Sequence, residues 1–164
     1  MNERSPIDRP ELPAFGILAD LADEDRALLC SYGGFCFLQP GETVIDQGDP
    51  QDTLFVVLSG ELHAKRLFQG REMLLGSIRQ GESFGEMSIF DPSPASAQVV
   101  AMTPAQLWRI DRQSLHEFYA AYPEPSVTLT ARIAAVLSRR VRFLMQKLES
   151  KVEYEEIMAE LGAN

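Results

Sequence analysis

From Phe35 to about Ile110 the chain sets short apolar runs between turn signals, and no long helical period interrupts them. The turns fall at Gln39-Pro40-Gly41-Glu42, Gln47-Gly48-Asp49-Pro50, Ser59-Gly60, Gln69-Gly70 and Gln80-Gly81-Glu82. Turns spaced by roughly 8–12 residues predict antiparallel strands closed into a sandwich or barrel. Leu54-Phe55-Val56-Val57-Leu58 is apolar on both parities, as in a strand buried on two sides. Glu61 to Leu67 alternates: Leu62, Ala64 and Leu67 are apolar, while Glu61, His63 and Lys65 would face the other way, and Arg66 shares the parity of Leu62 and Ala64 and is expected to point inward. Strands resume through Gln98-Val99-Val100-Ala101 and Gln106-Leu107-Trp108-Arg109-Ile110.

Helical patterning flanks this β region. Residues 15–31 predict a helix with Leu18, Leu21, Leu28 and Leu29 on one face. Asp23, Glu24 and Asp25 cluster where a helix N-terminus favours negative charge, and Gly33-Gly34 breaks the helix. Asp111 is an N-cap for a second helix over 112–122, ended by Pro123 and Pro125. A last helix then starts near Ser126. Its stripe runs through Leu129, Ile133, Leu137, Val141, Leu144, Leu148 and Val152 in steps of three or four. At 1.5 Å per residue it reaches roughly 40 Å, longer than a small β-domain needs. Such excess predicts pairing with a second copy through residues 126–152, a homodimer. The alternative is a helix packed wholly on its own barrel. The chain thus divides into an N-terminal arm over 1–14, a β-roll with flanking helices over 15–125, and a long helix with an acidic tail over 126–164.

Composition narrows the setting. With 45% hydrophobic and 24% charged residues in 164, the chain can bury a core without disulfides or a structural metal. A net charge of -9 opposes general attraction to nucleic acid or anionic membrane. The charge is uneven: residues 1–50 carry ten acids against three bases, residues 128–151 six bases against one acid. The basic run Arg139-Arg140-Val141-Arg142 therefore suits acidic residues of this protein or of a partner. Cys30 and Cys36 match no metal or redox spacing and read as reduced thiols. The N-terminus lacks the apolar core of a signal peptide, and no run approaches the roughly 20 apolar residues of a membrane span. A cytoplasmic protein is expected.

The motif Phe84-Gly85-Glu86-Met87-Ser88-Ile89, followed by Pro94-Ala95-Ser96-Ala97, carries the most specific signal. It resembles the phosphate-binding cassette of the cyclic-nucleotide-binding domain found in catabolite-activator proteins, kinase regulatory subunits and nucleotide-gated channels. Pro40-Gly41-Glu42, Gln47-Gly48-Asp49, Leu58-Ser59-Gly60 and Gly81-Glu82 fit the same glycine framework, so the similarity runs from about Phe15 to Lys151. The implied fold is mainly β: an antiparallel jelly-roll, a cupin-like double-stranded β-helix, with flanking helices and a long C-terminal helix.

The resemblance assigns ligand-binding positions to Phe84, Gly85, Glu86, Met87, Ser88, Pro94, Ala95, Ser96 and Ala97. Gly85 before Glu86 opens a short helix whose free N–H groups suit a phosphate. Glu86 stands where the family accepts a hydrogen bond from the ribose 2′-hydroxyl; the other reading is a carboxylate bonded to nearby backbone N–H groups. Ala95 stands where the family has the arginine that holds the cyclic phosphate. Phe143-Leu144-Met145 is apolar where activator-type members present polar groups to the purine. The expected function is a regulatory sensor or adaptor acting on a separate protein effector, with a degenerate pocket that binds cyclic AMP or cyclic GMP weakly or not at all. The alternative is a working receptor that holds the phosphate by backbone N–H groups, Ser96 and a substitute base, for which Arg66 is the candidate, with Arg71 and Arg79 on turns nearby. A cupin-type enzyme is the remaining reading. His63 and His116, one on a strand and one on a helix, fall short of a three-ligand metal site, and no nucleophile motif or paired carboxylates stand out, so no catalytic or metal residue is assigned. A winged helix-turn-helix would need about 60–80 further residues after the long helix, so DNA is not an expected partner.

Overall fold

The computed structural model describes residues 11–160; residues 1–10 of the expected arm and 161–164 of the expected tail lie outside the described residues. Among the described residues ten strands lie between a helical lead and two C-terminal helices, in the order expected, with one short helix between the seventh and eighth. They are β1 (Gly34–Leu38), β2 (Thr43–Ile45), β3 (Pro50–Gln51), β4 (Thr53–Ser59), β5 (Glu61–Phe68), β6 (Arg71–Arg79), β7 (Ser83–Phe84), β8 (Ser93–Pro94), β9 (Gln98–Ala101) and β10 (Ala105–Asp111). One sheet has the order β1-β10-β4-β7, its partner β2-β9-β5-β6, and β3 pairs with β8 in a separate two-stranded ladder. Every pairing is antiparallel. The result is the jelly-roll with flanking helices and a long C-terminal helix.

The parity of β4 explains the layering. Phe55 and Val57 point into the roll, where they meet Leu62, Phe84, Val99 and Leu107. Leu54 and Val56 point the opposite way and join Trp108 and Ile110 under the helices. The strand is buried on both sides, as its unbroken apolar run requires.

The helical layer departs from expectation at two boundaries. In place of one helix over 15–31 there is a 3₁₀ turn at Gly16–Leu18, a break, and helix α1 over Asp23–Tyr32. Gly16 has φ 55, and a Cβ there would lie 1.9 Å from the Gly81 carbonyl oxygen, so the chain turns sharply against the roll and cannot start a regular helix. The leucine pattern still holds, because Leu18 and Leu21 are buried in the same cluster as Leu29. Helix α2 (Glu86–Phe90) lies within the cassette, and α3 (Arg112–Ala121) follows β10. Asp111 caps α3 as expected, accepting from the Ser114 N–H at 2.8 Å. The final helix, α4, begins at Pro123, three residues before the predicted start. Both prolines sit in its first turn, where no intrahelical donor is needed, so they begin the helix.

Helix α4 runs over Pro123–Glu160, 38 residues or about 57 Å. Leu129 and Ile133 are buried against the roll and Leu137 is partly covered. From Val141 onward the stripe emerges: Leu144 is 58% exposed, Leu148 63% and Val152 53%. No helix among the described residues is long and apolar enough to cross a membrane.

Arg66, expected to point inward with Leu62 and Ala64, is exposed, and so is Leu67. Among the described residues β9 pairs with β5 only as far as Lys65, so the end of the β5–β6 hairpin projects beyond the second sheet. Both residues lie past that limit.

Candidate functional site

The cassette starts on β7, where Phe84 stacks on Phe55 with centroids 4.8 Å apart and planes at 6°. Gly85 then turns with φ 86 and hands the chain to α2. A Cβ on Gly85 would come within 2.1 Å of the Thr53 carbonyl oxygen, to which the Gln51 side chain donates at 2.7 Å. The turn is thus pinned against β4. At its far end α2 is held by Arg112, whose Nε donates to the Ile89 carbonyl at 3.1 Å and whose guanidinium also reaches the Ser88 carbonyl. Positive charge at a helix C-terminus is favourable. Nothing in the local pattern around Arg112 signals this role.

The second half of the cassette is fixed by backbone bonds. The Ala95 N–H donates to the Asp49 carbonyl at 2.8 Å, and the Gly48 N–H donates to the Ala95 carbonyl at 2.8 Å. Pairing of Pro50 with Pro94 continues this ladder. Ala95 is 7% exposed and belongs to the apolar cluster inside the roll. Around it Pro94 and Ser96 are exposed and Ala97 is half-buried; on α2 Met87 is exposed and Ser88 buried. The cassette positions are therefore contiguous, but their polar side chains do not converge: Ser96 is in solvent and Ala95 brings a methyl group.

Glu86 is 2% exposed and forms an ion pair with Arg140 of α4. A second nitrogen of Arg140 donates to the Ser83 carbonyl. This is neither of the two readings of Glu86 that the sequence offers, although it does give the basic run containing Arg140 an acidic partner within this protein. Burial pushes the Arg140 pKa down and the nearby Glu82 charge opposes it; a guanidinium so placed stays protonated. Glu86 Oε2 and Ser83 Oγ are buried without a hydrogen-bond partner among the described residues. Beside them a cleft of about 280 Å³ lies between the Gly81–Ser83 turn and α4 at Val136, Arg139, Arg140 and Phe143.

Arg66 is exposed on the projecting part of β5, opposite Met73. Arg71 and Arg79 are likewise exposed at the two ends of β6, and Arg79 pairs with Glu61 at 3.5 Å. The Ser77 hydroxyl, then Arg79, hold the Glu61 carboxyl below the usual carboxylate range. His63 lies 3.4 Å from the same carboxylate, and His116 is on α3. No three potential metal ligands of the His, Cys, Asp or Glu type come together among the described residues. Cys30 and Cys36 are half-buried thiols, and burial raises the pKa of both.

The sequence pattern described as "Cyclic nucleotide-binding domain" matches residues 35–122, more than half of the chain. This chain belongs to that family. It is 35% identical to the "CRP-like cAMP-activated global transcriptional regulator" of Mycobacterium tuberculosis over 62% of this chain and 44% of that protein. It is 33% identical to the "Cyclic AMP receptor protein" of Thermus thermophilus over 74% of this chain and 55% of that one. The chain thus spans about half the length of these two relatives. A solved cyclic nucleotide-binding domain from Methylobacillus flagellatus superposes with a TM-score of 0.76 at 26% identity, covering 80% of this chain and 75% of that one. The superposition matches the fold of the roll, and Ala95 lies within the matched span of residues 35–122.

Proposed function

We propose that this chain is a regulatory sensor or adaptor whose nucleotide pocket is degenerate, holding cyclic AMP or cyclic GMP weakly or not at all. One observation carries the reading. At the cassette position where a phosphate-binding arginine is expected, Ala95 turns its methyl into an apolar interior, and hydrogen bonds on both its N–H and its carbonyl fix that orientation. The Ala95 N–H is thereby engaged, which removes one backbone donor from the phosphate. Losing one side of a buried charged pair costs roughly 2–5 kcal/mol, some 30- to several-thousandfold in affinity. Arg66, in solvent on the projecting hairpin, offers no evident replacement. The exposed stripe of α4 supports homodimerisation through residues 126–152, and the output is action on a separate protein effector in the cytoplasm.

A working receptor is the second reading, favoured by the buried Glu86 Oε2, an acceptor without a donor that a sugar hydroxyl would satisfy. Calorimetry with cyclic AMP and cyclic GMP at physiological ionic strength separates the two. The wild-type protein is expected to show no saturation at micromolar ligand, and Ala95→Arg to gain affinity by about 30-fold or more. Micromolar or tighter saturable binding by the wild type establishes the receptor instead.

A further inference from the structure

The inner face of the first sheet has an open end away from the cassette. There a cleft of about 330 Å³ lies among Tyr32, Gly33, Gly34, Thr53, Arg109 and Asp111, and no cassette position lines it. Strand parity explains the opening. Leu107, Arg109 and Asp111 share one side of β10, but only Leu107 is covered by the roll. Register sets their neighbours on that side: Gly34 of β1 lies opposite Arg109, and Thr53 of β4 lies opposite Asp111. A Cβ on Gly34 would meet nothing within 4 Å, so the space beside Arg109 is not filled by protein.

Two poles of opposite charge therefore face one cleft. Arg109 and Asp111 are exposed, and neither forms an ion pair among the described residues. Asp111 uses Oδ1 to accept from the Ser114 N–H, which leaves Oδ2 as an acceptor. The Thr53 hydroxyl donates to Asp52, and its lone pairs remain beside Asp111. The other pole is a guanidinium, a fork of donors that fits a carboxylate with two parallel bonds. Residues two apart on a strand stand about 6.6 Å apart at their backbones, a separation that a molecule of amino-acid size can bridge. One wall is already fixed, because the Tyr32 ring packs edge-on against Phe118 at 5.5 Å and Tyr122 at 6.2 Å.

We propose that this cleft binds a small zwitterion, a free amino acid in size and charge, with its ammonium on Asp111 and Thr53 and its carboxylate on Arg109. The charges select for both poles at once. A simple anion on Arg109 is repelled by Asp111, and a simple cation on Asp111 is repelled by Arg109; a zwitterion gains at each. The volume is at the lower end of the roughly 300–1,000 Å³ of small-molecule pockets, which suits a ligand of this size. Such a site gives the domain an input that does not depend on the missing phosphate arginine, and it stands whether or not a nucleotide binds the cassette.

The test is a ¹H–¹⁵N NMR titration of the full chain with L-alanine and L-glutamine, set against acetate and methylammonium, which carry one pole each. Trp108 is the single tryptophan of the chain, and a Cβ on Gly33 would lie 2.5 Å from its Cε2, so its indole N–H reports from directly behind the cleft. That signal and the amides of residues 32–34 and 109–111 are expected to shift saturably with at least one amino acid, at a midpoint of about 1 mM or below. Acetate and methylammonium are expected to bind at least about tenfold more weakly. Asp111→Asn removes the negative charge but keeps a good helix cap, and Arg109→Met removes the positive pole; each is expected to weaken binding by about tenfold or more. Gly34→Val puts a side chain into open space, so the spectrum should stay that of a folded roll while binding disappears. The proposal is overturned by no saturation with either amino acid up to about 10 mM. Equal binding of acetate or methylammonium overturns it as well, and so does undiminished affinity in any of the three variants.

Discussion

The backbone turns at Gly85 with φ 86, and a Cβ there would press to 2.1 Å from the Thr53 carbonyl oxygen. Two independent penalties therefore meet in Gly85→Ala: a left-handed conformation that L-residues resist and a displacement of the start of β4. Together they are expected to cost about 2 kcal/mol or more, read as a lower urea midpoint with an unchanged slope. A loss below about 0.5 kcal/mol would mean that the cassette is not pinned to β4 as described. At this scale the sequence is informative wherever a backbone conformation restricts residue choice. The glycines at 41, 48, 60 and 81 all have positive φ, as their turns imply. It is uninformative about Arg112 and about the partner of Arg140, because a side chain that bridges distant segments leaves no local period to read.

Among the elements, the β5–β6 hairpin shows how far pattern reading reaches. Alternation correctly places Leu62 inside, but it cannot reveal that β9 stops supporting β5 at Lys65, which is a matter of strand length across the sheet. Past that point a two-stranded ribbon is marginal in water, and one side chain steadies it. Gln47 accepts from the Leu67 N–H at 2.7 Å and donates to the Leu67 carbonyl at 3.2 Å. Gln47→Ala is expected to speed exchange of the Leu67 amide by about tenfold, equivalent to about 1.4 kcal/mol of local opening, while the roll strands stay protected. Unchanged exchange would show that the ribbon is held from elsewhere. The same limit explains α4. Its stripe is visible throughout, yet the stripe alone cannot say that burial ends near Leu137 and that the rest stands clear.

For the whole molecule, a net charge of -9 opposes self-association whereas the exposed half of α4 favours it. Burying Val141, Leu144, Leu148 and Val152 between two copies contributes on the order of 1.5–3 kcal/mol per fully buried aliphatic side chain, before the cost of association. Repulsion between two such chains is spread over their surfaces and weakens once the Debye length falls to about 10 Å at 0.1 M salt. Added salt should therefore strengthen the dimer, the reverse of an assembly held by surface ion pairs. Coupling to folding gives a second readout: a dimer that forms only from folded chains makes Tm rise with protein concentration. Sedimentation of the wild type is expected to show a dimer that tightens with salt, and its Tm to climb with concentration. Leu144→Lys with Leu148→Lys places charge in the stripe at positions exposed in one protomer, so the roll should fold normally while the dimer and the concentration dependence of Tm both disappear. If the double variant sediments and melts as the wild type does, the copies associate through another surface, and the length of α4 must serve a different partner.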